Sequence, residues 1–238
     1  MHSWLLFCSA ILCSTLTMAD DGQAIGWRGS IDGGYIHSST SSSESTQTLY
    51  VNIAMTHTGA YWVNILSAEG LNVQGNTVNG NTEPERYLAA YKARHFFDIR
   101  DYFMYRAQWE KDLASNHEYQ SFSSLGLGRS VLNSENESLK FEMGPGVRYT
   151  AGKLSHDQRE AIGLFSWDYF YQFNIDSRFV QKANIEYGSS DKVTRVNTQL
   201  QQNITHVIAL TLNHDYKHVN GDAPTRESIM SIGMSYQL

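Results

Sequence analysis

The segment LYVNIAMT, residues 49–56, alternates apolar and polar side chains with a period of two. The apolar positions are Leu49, Val51, Ile53 and Met55, and between them stand Tyr50, Asn52, Ala54 and Thr56. A β-strand directs successive side chains to opposite faces, so this pattern predicts a strand with one apolar face. FMYRAQWE (103–110) and IALTLN (208–213) repeat the pattern farther along the chain.

The same alternating unit recurs from residue 26 to the C-terminus, separated by clusters of Gly, Asn, Ser and Asp. It predicts a single all-β domain, residues 20–238, with about twelve antiparallel strands. The predicted strands are 26–37, 47–58, 60–71, 85–97, 102–113, 118–131, 138–151, 160–173, 176–188, 191–202, 205–217 and 227–238. An even number brings both chain ends to one side of a closed sheet.

The connections between these strands are predicted to alternate in length. The longer, hydrophilic set is 38–46, 72–84, 152–159 and 219–226, and the mostly tighter set is 58–59, 98–101, 133–137, 174–175 and 203–204. Short turns on one side and longer loops on the other are typical of outer-membrane barrels, whereas a soluble β-sandwich has no reason to segregate them. No later apolar run reaches the length of about 20 residues that a spanning helix needs. We therefore expect an antiparallel up-and-down transmembrane β-barrel.

The first segment of the chain predicts export. Residues 4–19 are almost wholly apolar and are followed at once by Asp20 and Asp21, which is typical of a signal peptide, here residues 1–19, that directs the chain to the bacterial outer membrane. No Lys or Arg precedes the apolar core, and a buried N-terminal helix is the alternative interpretation. Both cysteines, Cys8 and Cys13, lie in this segment, so we expect neither disulfides nor thiolate metal sites in the mature barrel.

Charge and histidine spacing exclude several classes of partner. The formal net charge of −6 gives no electrostatic reason to expect nucleic-acid binding, and the nine histidines show no metal-ligand spacing. We therefore predict no cofactor and no metal. The expected partners are outer-membrane lipids and, during biogenesis, the barrel-assembly machinery, with the barrel itself a monomer.

Charged residues fall on the face opposite the Leu, Ile and Val positions, which predicts a polar barrel interior. The predicted interior residues are Arg28, Asp32, Lys92, Arg94, Arg106, Glu110, Glu142, Arg148, Asp168, Arg178, Lys182, Glu186, Arg195, Asp215 and Lys217. Both signs occur in similar numbers. The sequence leaves open whether they form a salt-bridged plug or line a narrow water-filled path, because a barrel of this size can be filled by its own side chains.

One pair of residues suggests chemistry on the outer face. Strand phase places His214 on the lipid side, and pairing of the last hairpin puts Ser228 nearly opposite it. A lipid-facing His–Ser pair can activate a hydroxyl for phospholipid cleavage. The alternative is that both are interfacial polar residues, since no third, orienting group is evident.

The C-terminal segment SIGMSYQL (231–238) resembles the sorting signal for the barrel-assembly machinery, through Gly233, Tyr236 and a terminal apolar residue, here Leu238 rather than the commoner Phe. Over nearly the whole mature length, the chain resembles the uncharacterised family of salt-induced outer membrane proteins, a domain-of-unknown-function outer-membrane β-barrel family. The resembling segments are WRGSIDGG (27–34), YQSFSSLGLGR (119–129), FEMGPGVRY (141–149) and the closing Tyr236. The resemblance implies a barrel without an established substrate, linked to salt or osmotic stress.

Three functions remain in competition at this point. The leading hypothesis is a narrow pore or a structural envelope protein, which is not an enzyme. The second is an outer-membrane lipid hydrolase using His214 and Ser228. The third is surface interaction through the loops 72–84 and 219–226.

Overall fold

A computed structural model of the protein describes residues 25–39, 45–75, 85–113, 117–153, 156–221 and 225–237. The predicted signal peptide and Leu238 lie outside these residues. Within the described ranges, no helix is long and apolar enough to cross a membrane.

Twelve antiparallel strands form a closed barrel. They are β1 Gly26–Ser39, β2 Ser45–Thr58, β3 Trp62–Gly75, β4 Glu85–Phe96, β5 Asp101–Asp112, β6 His117–Asn133, β7 Glu137–Gly152, β8 Gln158–Gln172, β9 Ser177–Tyr187, β10 Lys192–Asn203, β11 Ile208–Asn220 and β12 Thr225–Gln237. Each pairs with its neighbour in the chain, and β12 closes the ring on β1 by pairing Ser30–Tyr35 with Ile232–Gln237. The predicted fold and strand number are confirmed, with strand ends shifted by up to four residues.

The connections differ less in length than the sequence predicts. β3 continues to Gly75 and β11 to Asn220, so parts of the predicted loops 72–84 and 219–226 lie in strands. The reason is that backbone pairing does not need an apolar side chain: Asn72 pairs with Leu49 and Asn220 with Lys192 in regular register. The connection 76–84 still has nine residues, against three or four in the turns on the opposite side, whereas the connection 221–224 has four and does not differ from them.

The barrel is apolar outside and polar inside. Leu49, Val51, Ile53 and Met55, the odd positions of the segment that predicted the fold, are all exposed. The largest fully buried side chains include Arg148, Gln201, Glu142 and Glu186. A soluble protein has the reverse arrangement, whereas hydrocarbon outside the barrel and charge inside it explain both observations.

Glycines bring β6 and β7 unusually close together. A Cβ added at Gly126 would lie 2.1 Å from the carbonyl oxygen of Met143, and one at Gly144 would lie 2.0 Å from that of Leu125. At Gly128 an added Cβ would lie 2.2 Å from the ring of Tyr102. The missing side chains therefore let β6 approach β7 and leave space inside the barrel for the Tyr102 ring.

Candidate functional site: the charged interior

The structure places the predicted interior residues as follows. Asp32, Arg94, Glu110, Glu142, Arg148 and Glu186 are buried; Arg106, Asp168, Arg178, Arg195, Asp215, Lys92 and Lys217 are partly buried; Lys182 and Arg28 are exposed. Arg28 stands near the start of β1, whereas Lys182 lines an interior cavity. Many of the others contact residues on strands that are not neighbours in the sheet, and such contacts must run through the lumen.

Glu142 on β7 is the centre of one cluster. Its carboxylate accepts hydrogen bonds from Lys92 Nζ at 2.9 Å, Arg94 Nε at 2.7 Å, Ser166 Oγ at 3.0 Å and the Tyr102 hydroxyl at 3.2 Å. Lys92 and Arg94 also bind Asp168 on β8. Lys92 and Arg94 lie on β4, so this cluster connects β4 to β7 and β8 through the interior. A carboxylate with this many donors is stabilised in its charged form despite its burial.

Glu110 on β5 is the centre of a second cluster, and its contacts cross the whole barrel. Arg195 Nη2 lies 2.7 Å from Glu110 Oε2, and Lys217 Nζ lies 2.6 Å from Glu110 Oε1. Lys217 is on β11, which lies six strands from β5 in either direction around the ring. These two ion pairs therefore divide the lumen at this level.

The Glu110 cluster continues through Glu186 to the other side of the ring. Glu186 binds Arg195 and also Arg148, whose Nη1 lies 3.4 Å away. Arg148 donates in addition to Glu160, through Nε at 2.8 Å, and to the backbone carbonyl of Asp191 at 3.0 Å. The fully buried guanidinium of Arg148 is thus surrounded by acceptors, as a buried charge must be.

A smaller group was missed in the sequence. Arg86 lies 2.9 Å from Glu69 and 3.2 Å from Glu227, which connects β4 to β3 and to β12. The signal was present, because Glu69 stands at an even distance from the inward Val63 and Leu71, and Arg86 from the inward Arg94. Strand phase alone therefore predicts that Glu69 and Arg86 point inward, and Glu227, four residues before the buried Ser231, follows the same rule.

The interior is not filled completely. A cavity of about 390 Å³ lies among these clusters and is lined by residues of both, including Arg94, Asp168, Glu110 and Arg195. The ion pairs therefore divide the lumen without removing all free space from it.

On the outer face, His214 and Ser228 lie together. His214 Nε2 is 3.0 Å from Ser228 Oγ; the Ser228 side chain is exposed and that of His214 is partly buried. In the described part of the chain, no carboxylate or amide is hydrogen-bonded to the second ring nitrogen of His214. The pair that the sequence predicted is formed, without an orienting third group.

The described residues of the predicted assembly signal lie at the closing seam. A Cβ added at Gly233 would lie 2.3 Å from the carbonyl oxygen of Gly33 on β1, so glycine allows close approach of β12 and β1. Tyr236 is exposed beside the same seam, opposite Ile31. This geometry gives Gly233 a structural role that is independent of sorting.

The model of the family described as "Protein of unknown function, DUF481" matches residues 32–237. The chain belongs to this family. An Escherichia coli (strain K12) relative, "Uncharacterized protein YdiY", is 26% identical over 195 residues, which cover 80% of this chain and 73% of the relative.

Solved outer-membrane barrels have the same fold at low sequence identity. The COG4313 outer membrane channel from Pseudomonas putida F1 superposes with a TM-score of 0.57 at 8% identity, covering 94% of this chain and all of that one. The NanC porin superposes with a TM-score of 0.52 at 14% identity, covering 89% of this chain and all of that one. At these identities the likeness shows the fold of an outer-membrane β-barrel.

Proposed function

We propose that this protein is a narrow outer-membrane pore for small solutes, whose permeability is limited by ion pairs that cross its lumen. The observation that carries the proposal is the position of Glu110, which binds Arg195 and Lys217 from the opposite wall at 2.7 and 2.6 Å. A wide, open porin has no such bridge. A fully packed plug would leave no cavity, whereas about 390 Å³ remains free beside the bridge.

Two further observations support a pore. The interior surface is charged along its length, and such a surface suits the passage of water and polar solutes. A purely structural barrel could instead be filled by apolar side chains. Two barrels of similar fold are described as an outer membrane channel and a porin. That likeness is an analogy of architecture and makes solute passage the first function to test.

Single-channel recording in planar bilayers tests the proposal. We expect small conductance steps for the unaltered barrel and clearly larger steps for Glu110→Ala, because the substitution removes the bridge across the lumen. Glu135→Ala, in the exposed turn between β6 and β7, is the matched control and should leave the conductance unchanged. Electrical silence of both the unaltered barrel and Glu110→Ala, with folding verified by heat-modifiable gel mobility, would contradict the pore and favour a structural envelope protein.

The proposal includes the route to the membrane and the physiological setting. It comprises export through the signal peptide 1–19 and insertion by the barrel-assembly machinery, which would recognise Gly233, Tyr236 and Leu238. The inserted barrel is proposed to be a monomer in outer-membrane lipid. The role in salt or osmotic stress is carried by the family resemblance alone. A deletion strain that grows like its parent at raised osmolarity would remove that part of the proposal.

A second candidate function is phospholipid hydrolysis at the outer face. It is favoured by one observation, the 3.0 Å contact between His214 Nε2 and Ser228 Oγ on the outer face of the barrel. In a hydrolase, the imidazole would accept the hydroxyl proton as Ser228 attacks an ester carbonyl. The test is release of fatty acid from defined phospholipid vesicles. Equal release by the unaltered protein, Ser228→Ala and His214→Ala would eliminate this function.

A further inference from the structure

Among the described residues, two basic side chains on the cavity wall form no ion pair with a carboxylate. Arg106 on β5 donates to Gln108 Oε1 at 3.1 Å and lies over the ring of Phe122, 5.4 Å from its centroid. Lys182 on β9 stands opposite Asp168 in the register of β8 and β9 and acts on it electrostatically, but no hydrogen bond or ion pair within 4 Å joins the two side chains. Arg106 and Lys182 both line the interior cavity, from strands four places apart in the ring.

The carboxylates with the strongest electrostatic effect on Arg106 already form ion pairs with other cations. Those that act on it electrostatically are Glu186, Glu142 and Asp168. Glu142 and Asp168 each bind both Lys92 and Arg94, and Glu186 binds both Arg148 and Arg195. These acids form their ion pairs with other bases, and none of them forms one with Arg106.

Arg106 and Lys182 differ from the other basic side chains of the cavity wall. Seven basic side chains line the cavity, and the remaining five, Arg86, Lys92, Arg94, Arg195 and Lys217, each form an ion pair with a carboxylate. A cavity of about 390 Å³ is also within the size range of small-molecule sites. Charge and volume together suit a small anion.

Asp215 restricts where such an anion would lie. Its carboxylate accepts a hydrogen bond from Asn197 Nδ2 at 2.6 Å, and no cation forms an ion pair with it in the described part of the chain. Asn197 stands between Asp215 and Lys182 in the sheet register, so the acid and the lysine are two strands apart. Repulsion from Asp215 directs an anion toward Lys182 and Arg106.

We propose that this cavity is a binding site for a small oxyanion, that is, a carboxylate or phosphate group, with Arg106 as the principal contact and Lys182 as the second. The planar guanidinium presents paired N–H donors that match two oxygens of such a group, and the lysine adds a compact charge. The inference that this anion is also the solute of the pore rests on the proposed function. Binding of the anion in the cavity does not require conduction.

Calorimetric titration of the purified barrel with inorganic phosphate and, separately, with acetate tests the site. We expect saturable binding of at least one of the two, weakened about tenfold or more by Arg106→Gln and to a smaller extent by Lys182→Gln. Arg106→Lys should restore only part of the affinity, because it keeps the charge and loses the paired donors. Arg129→Gln, an arginine exposed on the outer face, is the control and should bind as the unaltered barrel does.

Three results would overturn the site: no saturable binding of either anion, equal affinity in Arg106→Gln and the unaltered barrel, or an equal loss in Arg129→Gln. Comparison of phosphate with acetate shows which oxyanion the cavity prefers. The outcome is separable from that of the pore. A barrel that binds phosphate but is electrically silent retains the site and loses the pore, whereas one that conducts without binding either anion retains the pore and loses the site.

Discussion

Glu110 and Lys217 form an ion pair of 2.6 Å although six strands separate β5 from β11 in either direction around the barrel. The pair can form only because both side chains are long and point along the same diameter of the lumen. A barrel with shorter residues at these positions would have an open passage at this level. The same principle applies to Arg195, which reaches Glu110 from β10.

The buried Glu142 cluster should be important for stability. Glu142→Gln removes a negative charge shared by Lys92 and Arg94, both largely buried, and leaves those cations undercompensated. We expect the free energy of unfolding to fall by about 3 kcal/mol, since removing one partner of a buried ion pair typically costs that much or more. Urea unfolding in lipid vesicles, followed by tryptophan fluorescence, measures it. Glu135→Gln in an exposed turn should change it by less than about 0.5 kcal/mol.

The close approach of β6 and β7 predicts a steric effect at Gly126. Gly126→Ala would bring a Cβ to 2.1 Å from the Met143 carbonyl oxygen, so the strands must separate. We expect a loss of about 1–3 kcal/mol in the free energy of unfolding. Gly70→Ala is the matched control, because nothing lies within 4 Å of its added Cβ. Equal stability of the two variants would show that β6 and β7 can move apart without cost.

We expect a charged substitution on the outer face to lower the free energy of unfolding, and to lower it most near the middle of the membrane. Leu125 lies in the middle of β6 and is 64% exposed, on the side that faces hydrocarbon. Leu125→Arg should therefore destabilise the barrel in vesicles by about 2–4 kcal/mol. Asn220→Arg, at the end of β11, should be tolerated because that position is outside the apolar band. If the two substitutions had equal effects, the apolar exterior would not be embedded in lipid.

Alternation along β2 predicts a period of two in spin-label accessibility. Both cysteines of the chain precede residue 25, so single cysteines can be introduced into an otherwise thiol-free barrel. Labels at Val51 and Ile53 should collide preferentially with oxygen, which concentrates in lipid. Labels at Asn52 and Ala54 should collide less with oxygen, because these side chains line the cavity inside the barrel. Uniform accessibility across the four positions would contradict the assigned faces.

The strands and their phase could be predicted from the sequence because both follow from a local period of two. His214 and Ser228 could also be brought together, because the predicted ends of the last two strands, residues 217 and 227, are partners in the observed register. Neither inference needs knowledge of the barrel's cross-section.

The contacts across the lumen could not be predicted in the same way. Which cation meets Glu110 depends on the stagger of strands far apart in the chain and on how the closed ring is shaped, and neither is encoded in local alternation. Strand ends were underestimated for a related reason. β3 continues through Asn72 because pairing with β2 stabilises its backbone whatever its hydropathy.

The ion pairs across the lumen also constrain the order of assembly. Glu110 and its partners Arg195 and Lys217 lie 85 and 107 positions apart in the chain, so a sheet that has not yet curled into a ring leaves Glu110 without either cation, while Arg195 keeps only Glu186 on the neighbouring strand. Such a sheet cannot enter hydrocarbon without taking bare charges with it, and the energetic penalty is severe. Curling of the sheet and its entry into the membrane are therefore expected to proceed together, so that the interior charges meet their partners as they leave water.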